Sequence, residues 1–238
     1  MNVLLQANAA LLGIALICFE TCVASAAPRT KAFSITGFGS YQTYDMKDVN
    51  QAMQGALASY SGARADKDEI NSGAGFGTGI RIWPSEKVFV SLEFQRLSAS
   101  NSGSGQFAGS TYTVDLAVPA SSLAMSVGFM LTHGSLVRAG LAAGGGYYLT
   151  TGELVTRGPG GSTSNLEGSG FGVHGLGLVL VRVTRRLDFE VDAGYRHART
   201  TDVTSNGSRY RNADGSLTKI DWSGFVSRAG LTFWVAGK

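Results

Sequence analysis

The stretch Leu187–Arg199, LDFEVDAGYRHAR, decides the fold. Phe189, Val191, Ala193, Tyr195 and His197 share one face of an extended chain, while Asp188, Glu190, Asp192, Gly194 and Arg196 share the other. A repeat of two is the signature of a strand, whose side chains point alternately to opposite faces. The same period runs through Ile220–Val235, where Phe225, Ala229, Leu231, Phe233 and Val235 alternate with Val226, Arg228, Gly230 and Thr232. Lys87–Leu97 likewise sets Val88, Val90, Leu92 and Phe94 against Phe89, Ser91, Glu93 and Gln95.

Working outward, the punctuation is regular. Short breaks fall at Pro84–Lys87, Thr132–Ser135 and Thr184–Arg186, and long polar ones at 45–71, 98–111, 150–168 and 200–219. Short and long alternate, which leaves eight strands near 32–44, 72–83, 87–97, 119–131, 136–149, 169–183, 187–199 and 220–235. The expected fold is all-β: an eight-stranded antiparallel up-and-down transmembrane β-barrel. In lipid every backbone N–H and C=O needs an internal partner, and a closed sheet supplies them. Charged residues share a face with glycines such as Gly73, Gly75, Gly77 and Gly79, and large aliphatics share the other. A soluble barrel would reverse those faces. Within 45–71 the spacing of Val49, Met53, Leu57 and Tyr60 predicts a short helix in the first outer loop, with Asp45 as its N-cap. Trp83 and Trp234 at the short-turn end, and Tyr41, Tyr44, Tyr147, Tyr148 and Trp222 at the long-loop end, are expected to form two interfacial girdles.

Composition agrees with this reading. The chain of 238 residues holds 33 glycines and only 4 prolines, with 16% charged residues. Charged residues usually make up about 25%. A net charge of +3, scattered along the chain, excludes a nucleic-acid partner. The apolar run Ala9–Phe19 followed by Ala24-Ser25-Ala26 reads as a signal peptide over 1–26, although no Lys or Arg precedes it, with a barrel domain over 27–238. Eleven apolar residues are too few to span a bilayer, which takes about 20. Cys18 and Cys22 both fall in the signal segment, so the exported chain has no disulfide and no thiolate metal site.

The last strand, DWSGFVSRAGLTFWV over Asp221–Val235, and YDMKDVN over Tyr44–Asn50 carry a resemblance. They resemble the bacterial outer-membrane β-barrel family of opacity-type surface antigens and OmpX- and OmpA-like barrels. Arg228-x-Gly230-x-x-Phe233-x-Val235 looks like the signal read by the barrel assembly machinery. The resemblance implies residence in the outer membrane of a Gram-negative bacterium, with both termini in the periplasm and the long loops outside the cell. The partners it implies are the barrel assembly machinery, outer-membrane lipid and lipopolysaccharide, and an extracellular ligand or host surface.

Alternation points Arg81, Glu93, Arg138, Arg182, Glu190, Asp192, Arg196 and Arg228 into the lumen as a charge network. If Arg199 pairs with Asp221 across the last two strands, Asp192 stands opposite Arg228. Such charges must pair in a poorly solvated interior, closing the barrel. The alternative is a narrow pore for ions or small solutes. Gly170-x-Gly172-x-x-Gly175 lacks the strand-then-helix setting of a dinucleotide site. His133-Gly134-Ser135 has the spacing of a lipid A-modifying enzyme but falls in a short turn, whereas His197 lies outward with Arg199, not a serine, two residues on. His174 is expected to point into the lumen. No cofactor or metal site is expected. The expected function is that of a non-enzymatic surface protein with an envelope-structural, adhesion or antigenic-display role, a lipid-modifying enzyme ranking third.

Overall fold

A computed structural model describes residues 32–236, apart from 59, 67, 68, 133, 135, 202, 206 and 212–214. The signal-peptide expectation over 1–26, and His133 and Ser135, lie outside the described residues. Eight long strands alternate in direction: β1 (Ala32–Thr43), β2 (Ser72–Trp83), β3 (Val88–Phe107), β4 (Ser110–Met130), β5 (Val137–Arg157), β6 (Ser162–Arg182), β7 (Leu187–Thr200) and β8 (Gly224–Ala236). Each pairs antiparallel with its neighbour in sequence, and β8 returns to pair with β1. The ring is therefore closed and has no free edge at the level of the barrel. Among the described residues one helix forms, α1 (Lys47–Leu57), in the first long connection.

The two faces of the wall differ as the alternation requires. Leu123, Met125, Val127 and Phe129 on β4, Val173 and Val179 on β6, and Leu231, Phe233 and Val235 on β8 are exposed on the outside. On β6 and the residue that follows it this belt runs from Phe171 to Val183, about 40 Å of chain at ~3.3 Å per residue. A strand tilt of about 45° reduces it to about 28 Å, the hydrocarbon thickness of a bilayer. Above the belt the outer face turns polar, with Arg96 donating to the Ser121 hydroxyl at 2.8 Å.

The long breaks depart from expectation at 98–111 and 150–168. They are not irregular loops: β3 and β4 pair without interruption from Val88↔Phe129 to Phe107↔Ser110, and β5 and β6 from Val137↔Val181 to Thr156↔Ser162. Backbone pairing is indifferent to the Ser, Thr and Gly content that marked these segments as loops. The β3–β4 hairpin closes with both Ala108 (φ 49°) and Gly109 (φ 79°) in left-handed conformation, the two-residue turn whose twist suits a hairpin.

α1 also differs from expectation at both ends. Met46 stands at the N-terminal cap without a side-chain cap bond, so Asp45 lies one residue too early. The helix stops at Leu57, and Tyr60 instead stacks on Tyr112 with ring centroids 4.9 Å apart. Asp48 in the first turn accepts the Lys219 backbone N–H at 2.9 Å. The last strand is interrupted at Trp222 and Ser223, with Ile220–Asp221 pairing separately onto β7.

Candidate functional site

The lumen is filled in three tiers. At the short-turn end Trp83 and Trp234 turn inward, 3% and 4% exposed, which overturns their expected place in a lipid-facing girdle. Their ring centroids lie 5.2 Å apart, and Phe89 packs 4.8 Å from Trp83. A side chain at Gly128 would collide with the Phe89 ring, so the missing Cβ is what admits that ring. The Arg138 guanidinium sits 4.9 Å from the Trp234 ring and 2.7 Å from Asp188, and the Trp234 indole N–H donates to the same carboxylate at 2.8 Å. Parity carries the signal for both tryptophans: Trp83 falls in step with Arg81, and Trp234 with Arg228. Asp188 was likewise missing from the expected network although it falls in step with Glu190 and Asp192.

The middle tier is ionic. Arg81 grips Glu190 in bidentate fashion at 2.7 and 2.5 Å, and its Nη2 lies 3.6 Å from Glu93. Arg228 donates from Nη1 to Glu93 at 2.6 Å, and from Nε and Nη2 to Asp192 at 3.0 and 2.7 Å. The Thr232 hydroxyl donates to Glu190 at 2.5 Å. Register brings these side chains together: Asp221 stands opposite Arg199, and Asp192 opposite Arg228. Fork-shaped guanidinium–carboxylate pairs are the arrangement that makes buried charge tolerable, although Asp192 Oδ1 and Arg81 Nε stay without a hydrogen-bond partner. The structure thus joins Arg81, Glu93, Glu190, Asp192 and Arg228. Arg138 belongs to the tier below, and Arg182 lies half-buried across from Asp188 with its Nε unpartnered. Arg196 is buried but stands apart, its Nε donating to the Trp222 carbonyl at 3.0 Å.

The upper tier is apolar. Val49, Met53 and Leu57 of α1 insert among Leu97, Ala99, Val114, Leu116, Tyr148 and other buried residues. The helix is clamped by Asn50, which accepts the Ile70 N–H at 2.7 Å and donates to the Ile70 carbonyl at 3.3 Å. Trp222 is fully buried and meets Tyr44 edge-on at 5.0 Å. Burial pushes the Tyr44 phenol up to about 12, against the opposing charge of Arg196. Tyr44, Tyr148 and Trp222 therefore belong to the interior, a second correction to the expected girdles, while Tyr41 is exposed on the outside.

Two serine–histidine pairs form. Ser126 and His174 Nε2 lie 2.7 Å apart inside the lumen. Ser223 Oγ lies 3.1 Å from His197 Nδ1, so the break before β8 supplies the hydroxyl that is missing two residues after His197. That hydroxyl is also held by the Ala198 N–H at 3.1 Å and is buried, and Asp221 is committed to Arg199 at 2.6 Å and to the Ser223 N–H at 2.9 Å.

No family model and no curated protein matches the chain. Among solved structures the chain is similar to Neisserial surface protein A, at 16% identity and a TM-score of 0.43 over 84% of this chain and 96% of that one. It is also similar to the outer membrane protein OprG from Pseudomonas aeruginosa, at 15% identity and a TM-score of 0.48 over 87% and 96%. A third is Ail of Yersinia pestis in complex with the heparin analogue sucrose octasulfate, at 12% identity and a TM-score of 0.44 over 85% and 98%.

Proposed function

We propose, for a chain with the fold of the eight-stranded outer-membrane β-barrels, a non-enzymatic surface role in a Gram-negative outer membrane, exercised through its outer hairpins. The supporting observation is one of contrast. The lumen is occupied at three successive levels, whereas β3–β4 and β5–β6 continue as paired hairpins well beyond the apolar belt. Polar side chains line the outside of these extensions, and the tips carry Phe107 and Tyr112, the latter donating its hydroxyl to the Pro159 carbonyl at 3.0 Å. Envelope structure, adhesion and antigenic display all place the working surface there. Lipid, lipopolysaccharide and the barrel assembly machinery are the partners this reading implies.

A narrow pore is the second reading, and the filled lumen speaks against it. A lipid-modifying enzyme is the third. The Ser126–His174 pair faces a lumen whose adjoining cavity leaves about 20 Å³, and Ser223 is held by His197, Ala198 and Asp221.

The test is to shorten each hairpin to a two-residue turn just above the belt, removing 99–118 or 151–167, and to measure binding of bacteria expressing the variants to host cells or extracellular matrix. Loss of binding with normal barrel assembly, alongside full binding by Arg228→Met, is expected. Unchanged binding in both deletions would refer any adhesive role elsewhere.

A further inference from the structure

We infer that the lumen holds a binding site for a small inorganic anion, chloride or a halide of similar size, on the guanidinium of Arg196. The residue is 3% exposed and its Nη2 has no hydrogen-bond partner among protein atoms. Its Nε is used by the Trp222 carbonyl, and its face lies 5.6 Å from the Tyr148 ring. Among the described residues no carboxylate comes within ion-pair distance of it.

The carboxylates are already taken. Glu190 is held by Arg81, Glu93 and Asp192 by Arg228, and Asp188 by Arg138. Counting the half-buried Arg182, five arginines face four carboxylates in the lumen, so one bound anion brings the interior to neutrality. An uncompensated charge in a water-poor interior is strongly penalised, and none of the described residues supplies a carboxylate to Arg196.

Arg196 lines a cavity whose other polar walls are Arg228, Ser122, His174 and Tyr148, each able to donate a hydrogen bond, and Gln95, whose amide N–H goes to Ser40 at 3.0 Å. Glu93 is the one carboxylate there, and Arg228 holds it at 2.6 Å. The space open to the centre of a water-sized sphere is about 20 Å³, where one water needs roughly 10–15 Å³. A single monatomic anion fits, and phosphate, sulfate or an organic acid does not. The cavity lies between the apolar tier above and the ionic tier below, and its small size sets which anions it can admit.

Crystals of the refolded barrel grown in bromide, with data collected at the bromine edge, test this. One anomalous peak within hydrogen-bonding distance of Arg196 is expected. In parallel, thermal unfolding in detergent is compared in chloride and in gluconate, an anion too large to enter, at equal ionic strength. Binding near saturation raises the melting temperature in chloride by about 2–4 °C, and Arg196→Gln removes that difference. If Arg196→Gln does not refold, the wild-type arms decide alone. A lumen with no anomalous peak, holding water only, or equal melting in the two salts, overturns the site.

Discussion

At the scale of the residue, Arg228 is the centre of the interior. It joins Glu93 and Asp192 at 2.6 and 2.7 Å and lies 4.6 Å from the Phe38 ring, whereas Arg81 holds Glu190 closely but stands 3.6 Å from Glu93 and 5.0 Å from the Phe89 ring. Arg228→Met keeps the volume and orphans both acids. Removing one partner from a buried ion pair costs about 3–5 kcal/mol, and a loss in that range is expected in urea unfolding followed by the gel mobility of the unboiled protein. Arg228→Met with Asp192→Leu should recover part of it, because the second change removes an orphaned charge. A single-variant loss below about 1 kcal/mol would mean that water reaches the network. These residues were legible in the sequence because alternation places every second side chain on one face; the partner of each was legible only where a register was assumed, as for Asp192 opposite Arg228. The inward tryptophans were legible too, through their parity with Arg81 and Arg228. Interfacial preference points the same residues to a girdle, and in the barrel the periodicity prevails.

At the scale of the element, the outer hairpins and α1 behave as attachments to a rigid wall. Ala108 holds a left-handed backbone at the β3–β4 tip, which costs an L-residue with a Cβ roughly 1–2 kcal/mol. Ala108→Gly should relieve about 1 kcal/mol of it, raising hydrogen-exchange protection of the tip amides about five-fold, and leave the barrel unchanged. Met53 is 2% exposed within the apolar tier. Met53→Asp places an unpartnered charge there and should release α1, seen as new protease cleavage within 45–71 while the unboiled band persists. If cleavage is unchanged, the helix is held by Asn50 and Asp48 rather than by its apolar face. The helix was legible from the spacing of Val49, Met53 and Leu57. Its ends were not, since Tyr60 continues the spacing but finds Tyr112 as a better partner. The hairpin extensions were hidden for a different reason. Above the belt both faces lose the lipid, so the outer positions become Ser, Thr and Gly and the alternation fades. Only the inner positions keep it, as Leu97, Ala99, Val114, Leu116 and Val118 show.

At the scale of the whole molecule, the three tiers act as barriers in series, and this has a consequence for conduction. An ion entering from outside meets the α1-capped apolar core, then the paired charges, then the Trp83–Trp234 plug. Opening one tier leaves two, so a planar bilayer holding the refolded barrel should stay silent for wild type, for Met53→Asp, for Arg228→Ser and for Trp234→Ala. The triple variant should show discrete steps, because each tier then has a gap along the same axis. Eight strands leave an interior that side chains can fill, and conduction of any size requires emptying it. Steps in the wild type would overturn the closed lumen, promote the narrow-pore reading, and make the excess of arginine a basis for anion selectivity. Silence in the triple variant, with folded protein in the bilayer, would show that the remaining side chains repack across the gaps. The wall alone would then set the barrier, and the interior charges would matter for stability only.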